Sequence, residues 1–148
     1  MDVDRTAPVI ATGETVVAAS PETVWAAMTE ISRWPEWNPD VKSAALDQPL
    51  AEGSTFRWRA GPGTIVSTIR ALEPPLRIGW TGRTMGITAV HVWLLEPREG
   101  GTLVRTEESW DGLLPRLFRG PMRRALERAV GAGLGHLRVE AERRTGSA

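Results

Sequence analysis

The sequence predicts an α+β chain in which a seven-stranded, curved antiparallel sheet wraps around one long C-terminal helix, with two short helices after the first strand. Three observations carry that expectation. Short runs rich in β-branched and alternating residues recur from Val9 to Trp110, and beyond Leu113 the apolar period changes to threes and fours. Between the first run and the rest lies Ile31-Ser32-Arg33-Trp34-Pro35-Glu36-Trp37-Asn38-Pro39-Asp40. Its two prolines forbid a long continuous helix, and its two large rings need an apolar anchor.

Each element follows from its residues. Residues 1–8 are polar, end in proline and read as a disordered tail, which leaves residues 9–148 as one domain. Residues 9–19 are β-branched and small, giving the first strand. Ser20-Pro21-Glu22-Thr23 opens a helix: serine caps free N–H groups, proline has no N–H to waste at the first position, and the carboxylate suits the dipole. Strands are expected at 41–46, 54–60, 64–72, 76–84, 87–95 and 102–110. Phe56, Trp58 and Ala60 alternate with Arg57 and Arg59, as in a sheet with one wet face. Short turns between strands imply antiparallel neighbours, because parallel ones need crossovers of a dozen residues or more. Leu114, Phe118, Met122, Leu126, Ala129, Gly133, Leu137 and Ala141 mark one amphipathic helix over 113–144, bent or restarted at Pro115 and Pro121. A single helix laid across a curled sheet of this width does not fill its groove, so space is expected between them.

Composition narrows the function. The 148 residues are 41% hydrophobic and 24% charged, enough for a core without staples. No cysteine is present, which excludes disulfides, thiolate nucleophiles and cysteine-ligated metals. With only His91 and His136 as imidazoles, no metal and no cofactor are expected. A formal net charge of zero argues against a nucleic-acid partner. The absence of a signal pattern or an apolar run of roughly 18 to 20 residues argues for a cytoplasmic protein with no integral membrane segment.

Five segments carry a family resemblance. They are Ala19-Ser20-Pro21-Glu22-Thr23-Val24-Trp25; Trp34-Pro35-Glu36-Trp37-Asn38-Pro39; Leu72-Glu73-Pro74-Pro75-Leu76-Arg77-Ile78-Gly79-Trp80; Leu95-Glu96-Pro97 followed by Gly101-Thr102; and Glu108 four residues before Gly112. In this order, over about residues 10–144, the chain resembles the START/polyketide-cyclase superfamily, the SRPBCC or helix-grip proteins. The resemblance implies a βααββββββα fold with a cavity between sheet and C-terminal helix that takes up hydrophobic or amphipathic small molecules. Functions in the superfamily diverge, so fold alone does not assign one.

Strand parity selects the residues that face such a cavity. In the sixth strand Ile87, Ala89, His91, Trp93 and Leu95 oppose Thr88, Val90, Val92 and Leu94, and both sets are largely apolar. The odd set is placed inward because in the resembling family the leucine before Glu-Pro faces the helix. In the last strand Val104, Thr106, Glu108 and Trp110 form the inward set against Arg105, Glu107 and Ser109. His91 and Glu108 are the candidate catalytic pair, an imidazole oriented by a carboxylate being a general acid or base; pairing of Glu108 with an arginine, or of His91 with a backbone carbonyl, is the structural alternative. Seven tryptophans stand against no tyrosine. Trp58, Trp80, Trp93 and Trp110, with Phe56, Leu95, Thr106, Met122, Leu126 and Gly133, are the candidate ligand-binding residues, ordinary core packing being the alternative for each ring. Trp25, Trp34 and Trp37 are read as fixing the short helices, in a corner that in the resembling family often borders the cavity mouth.

Gly131-Ala132-Gly133-Leu134-Gly135 inside the long helix signals void volume, close backbone approach or a bend. Arg116, Arg119, Arg123, Arg124 and Arg128 attract an anionic partner or form a solvated face balanced by Glu127, Glu140 and Glu142. The functional expectation is a monomer or homodimer that binds a hydrophobic or aromatic, lipid- or polyketide-like small molecule. The alternatives are a cofactor-independent polyketide cyclase/dehydratase using His91 and Glu108, and a protein-interaction module.

Overall fold

The computed structural model describes residues 1–146, so the last two residues of the expected domain lie outside it. Ser20 starts helix α1 (Pro21–Thr29) as the sequence requires: its Oγ accepts from the Thr23 N–H at 3.2 Å, with Pro21 in the first turn. A 3₁₀ turn (Ile31–Arg33) and the single-turn α2 (Trp34–Trp37) follow. The Trp34 indole N–H donates to the Met28 carbonyl at 3.0 Å, which folds α2 back onto the end of α1.

The strands are β1 (Val9–Val17), β2 (Ser43–Ala45), β3 (Thr55–Arg59), β4 (Thr64–Glu73), β5 (Arg77–Thr84), β6 (Ile87–Arg98) and β7 (Gly101–Gly112). They form one antiparallel helix-grip sheet in the order β1-β7-β6-β5-β4-β3-β2. The first strand pairs with the last, Val9 opposite Trp110 and Val17 opposite Thr102. β6 and β7 extend beyond the expected 87–95 and 102–110, and Pro97 fits inside β6 because β5 reaches only as far as Leu94, leaving the proline N facing no third strand. A bulge between Ile69 and Ala71 shifts the β4–β5 register by one residue.

The C-terminal helix restarts after its first turn, between the Pro115 and Pro121 positions expected to bend or restart it. A short α3 (Leu113–Leu117) ends at Phe118, and α4 runs from Arg119 to Gly146 with Pro121 in its first turn, where a proline removes no intrahelical bond. α4 lies across the β1 end of the sheet. It approaches closely at Gly13, where a Cβ would stand 2.8 Å from Leu134 Cδ1 and 3.0 Å from Val130 Cγ1. Close approach is therefore supplied by the strand glycine, while Gly131, Gly133 and Gly135 have open space where their Cβ atoms would be. Leu126, Val130, Leu134, Leu137 and Ala141 of α4 complete the core with Val9, Val104, Ile69 and Ile78 of the sheet.

The segment expected to be a disordered tail is folded on the opposite face. Val3 is buried, the Asp4 N–H donates to Ser109 Oγ at 3.0 Å, and Arg5 pairs with Glu107 at 2.8 Å. Ser109 and Glu107 belong to the outward set of β7, and that outer surface had no occupant in a reading of alternation alone. No helix among the described residues is long and apolar enough to cross a membrane.

Candidate functional site

Two small chambers open on the inner face of the sheet, and Trp58 and Trp80 wall both. The first, about 90 Å3, lies between α2, β6 and α4, with Trp37, Asn38, His91, Trp93 and Gly133 on its walls. The second, about 180 Å3, lies under the β3–β4 and β5–β6 turns and reaches Glu108 and Trp110. Both are small against the roughly 300–1,000 Å3 of drug-sized sites, so an occupant is a compact ring system or one that displaces the Trp58 and Trp80 partition.

An aromatic chain runs through this partition. Trp34 meets Phe56, Trp58 and Trp80 at centroid distances of 5.6, 5.5 and 5.8 Å. Trp80 continues to His91 at 5.1 Å, and His91 to Trp93 at 5.0 Å. Edge-to-face and tilted pairs at such distances are attractive beyond their buried area.

His91 sits opposite Glu108 in the β6–β7 register, and the structure brings the two together, Nδ1 to Oε1 at 3.0 Å. The side chains are 12% and 16% exposed, so the contact is largely out of water. Thr106 Oγ1 lies 2.8 Å from His91 Nε2 and 3.1 Å from the Val92 carbonyl oxygen, so it engages the second imidazole nitrogen while Nδ1 faces Glu108. Glu108 Oε2 accepts from the Trp110 indole N–H at 2.7 Å. Burial pushes the His91 imidazole below its ordinary value, with the Glu108 carboxylate pulling the other way. Neither imidazole nitrogen is free, so His91 offers the first chamber its ring, whereas the carboxyl group of Glu108 belongs to the second.

The other expected ligand-binding residues divide. Trp58, Trp80, Trp93 and Gly133 line the first chamber; Trp58, Trp80 and Trp110 line the second. Phe56, Leu95 and Leu126 are buried core, Met122 packs half-buried against that core, and Thr106 is spent on His91 and Val92. Reading strands alone missed Trp34, Trp37 and Asn38. The signal available was the Trp-Pro segment itself, two rings on a turn too short to bury them within its own helix. Among the described residues, no group of three or more His, Asp or Glu is placed to hold a metal ion.

The sequence matches, over residues 8–142, the family described as polyketide cyclase / dehydrase and lipid transport. No curated protein matches it. Similar solved structures include a hypothetical protein from Helicobacter pylori, with a TM-score of 0.82 at 16% identity over 93% of this chain and 90% of that one. The Zhui aromatase/cyclase from Streptomyces sp. R1128 gives 0.80 at 17% identity over 92% and 94%. A START superfamily protein from Mycobacterium smegmatis gives 0.71 at 20% identity over 93% and 97%. Likeness at these identities establishes the helix-grip fold.

Proposed function

The chain belongs to the polyketide cyclase / dehydrase and lipid transport family, and from that premise we propose that it binds a compact hydrophobic or aromatic small molecule between the sheet and α4. The observation that carries this reading is the ring-walled first chamber, where Trp80 and Trp93 flank His91 and α4 contributes no side chain at Gly133. Flat apolar guests gain both buried area and ring contacts there.

Lipophilic aromatics are expected to quench tryptophan fluorescence saturably. Glu108→Gln, which removes the carboxylate but no ring, is expected to change that affinity by less than about tenfold, on the order of one hydrogen bond. Gly133→Leu, which projects a side chain into the chamber, is expected to abolish it. Quenching that is unaltered by Gly133→Leu would place the guest elsewhere and end the proposal.

The 3.0 Å contact of His91 with Glu108 favours a second reading, a cofactor-independent polyketide cyclase/dehydratase. In it Glu108 exchanges a proton with the substrate and His91 holds the carboxyl group in place. Turnover of a polyketide-like substrate would then fall by roughly 100-fold or more in Glu108→Gln while affinity persists, the usual scale for loss of a general acid or base.

A further inference from the structure

The second chamber has a composition that the proposed guest of the first does not use. Its walls include three indoles, Trp58, Trp80 and Trp110, and one carboxylate, Glu108, with about 180 Å3 between them. Among the described residues that line it, Glu108 is the one that carries a charge. Two of the indoles have already spent their N–H groups, Trp58 on Ser67 Oγ at 3.0 Å and Trp110 on Glu108 Oε2 at 2.7 Å. What these two offer a guest is ring surface, whose negative faces attract cations.

The charge of Glu108 has no counterpart in the protein. No arginine or lysine among the described residues forms an ion pair with it, and its basic neighbour is His91, with Nδ1 3.0 Å from Oε1. Burial pushes that imidazole toward its neutral form, so it is a hydrogen-bond partner rather than a counter-ion. The Glu108 side chain is only 16% exposed, and a carboxylate this far out of water calls for an opposite charge. The supply of acceptors decides which cation fits. Glu108 Oε2 and Ser67 Oγ each already receive an indole hydrogen, so a bare ammonium brings three or more N–H groups to a wall that is otherwise mostly apolar. Methyl groups on the nitrogen need no acceptor and pack on rings.

We propose that the second chamber binds a methylated ammonium group, with Glu108 as its counter-charge and the rings of Trp58, Trp80 and Trp110 as its walls. The site goes beyond the reading above: it lies across the Trp58 and Trp80 partition from the first chamber and takes a guest of different character. Its volume suits a small cationic head group rather than a drug-sized molecule. Selectivity arises because an uncharged guest of the same shape leaves the carboxylate uncompensated.

The test compares choline with 3,3-dimethylbutan-1-ol, in which carbon replaces nitrogen and the charge disappears while the shape persists. Each is titrated into 15N-labelled protein at constant ionic strength. Choline is expected to move the Trp110 indole signal saturably and to bind roughly tenfold or more tighter than the alcohol, the scale of a desolvated cation–π contact. Ammonium chloride is expected to bind more weakly than choline. Glu108→Gln keeps an oxygen for the Trp110 N–H but loses the charge, and should bring the choline and alcohol affinities together. Ala89→Leu, which grows a side chain into the second chamber, should abolish both, whereas Gly133→Leu, in the first chamber, should leave choline binding unchanged. Equal affinities for choline and the alcohol in the unaltered protein, no saturable binding of choline, ammonium binding as tightly as choline, or choline binding that survives Ala89→Leu would overturn the proposal. The comparison in the unaltered protein needs no variant, so a variant that fails to fold leaves the test intact. Each of these failures leaves standing the first-chamber reading, which Gly133→Leu tests with lipophilic aromatics.

Discussion

Glu140 is a carboxylate taken almost wholly out of water, at 6% exposure, although a run of charges on α4 suggests a solvated face. Two arginines one turn further on compensate it, Arg143 at 2.8 Å and Arg144 at 2.8 Å, and Arg144 also reaches Glu30 at the end of α1 at 2.8 Å. The hydrogen bond from Arg143, then that from Arg144, outweighs desolvation and holds the Glu140 carboxyl down at about 2, against an ordinary 4.5. Since the folded value is the lower one, the stabilisation is complete above about 4.5 and is lost as pH falls toward about 2. Urea unfolding at pH 7 and pH 3 is expected to differ by on the order of 2 kcal/mol through this group, and Glu140→Gln to flatten that part of the acid profile. Sequence distinguishes such residues poorly, because burial of position 140 is decided by where α1 ends. The His91 and Glu108 pairing was more legible: alternation in β7 sets Glu108 inward, and antiparallel register then puts one residue opposite. Trp37 was not, since no period governs a single helical turn.

Glycines separate the elements that need them from those that do not. Gly112 joins β7 to α3 at φ 132°, and a Cβ there would collide with the Gly86 carbonyl oxygen. Gly112→Ala is expected to cost about 2 kcal/mol or more, read as a fall in the urea midpoint, because it combines a forbidden backbone with a clash. Gly131 and Gly135 are exposed in mid-helix with nothing within 4 Å of their Cβ positions. Gly131→Ala and Gly135→Ala should each stabilise by about 0.5–1 kcal/mol in the same assay, the helix-propensity difference alone. Strands and helices themselves could be found from period and capping residues, and the two prolines announced a restart, but not its place at Phe118. Its cause is tertiary: α3 starts from Gly112, wedged against the β5–β6 turn, and has to change direction before α4 can cross β1.

At the scale of the molecule, the strand order is what periodicity does not contain. Nothing local pairs β1 with β7, and it is the structure that sets Gly13 opposite Thr106. Nor does alternation say what covers the outer face, where Met1 lies over Gly79 and Val3 is buried. Removing residues 1–5 is expected to lower stability by about 2 kcal/mol, the scale of burying one aliphatic side chain, while ligand affinity is unchanged because the segment lies on the far side of the sheet. Melting temperature and a binding isotherm on the same sample check both halves. The size of the chambers was equally out of reach, since volume is the residue of packing rather than of any pattern. The aromatic chain from Trp34 through Trp58 and Trp80, and on by way of His91 to Trp93, has an optical consequence. Indoles this close exchange electronic excitation before they emit and couple their near-ultraviolet transitions, so these tryptophans behave as one antenna whose exciton dichroism reports on the whole partition at once.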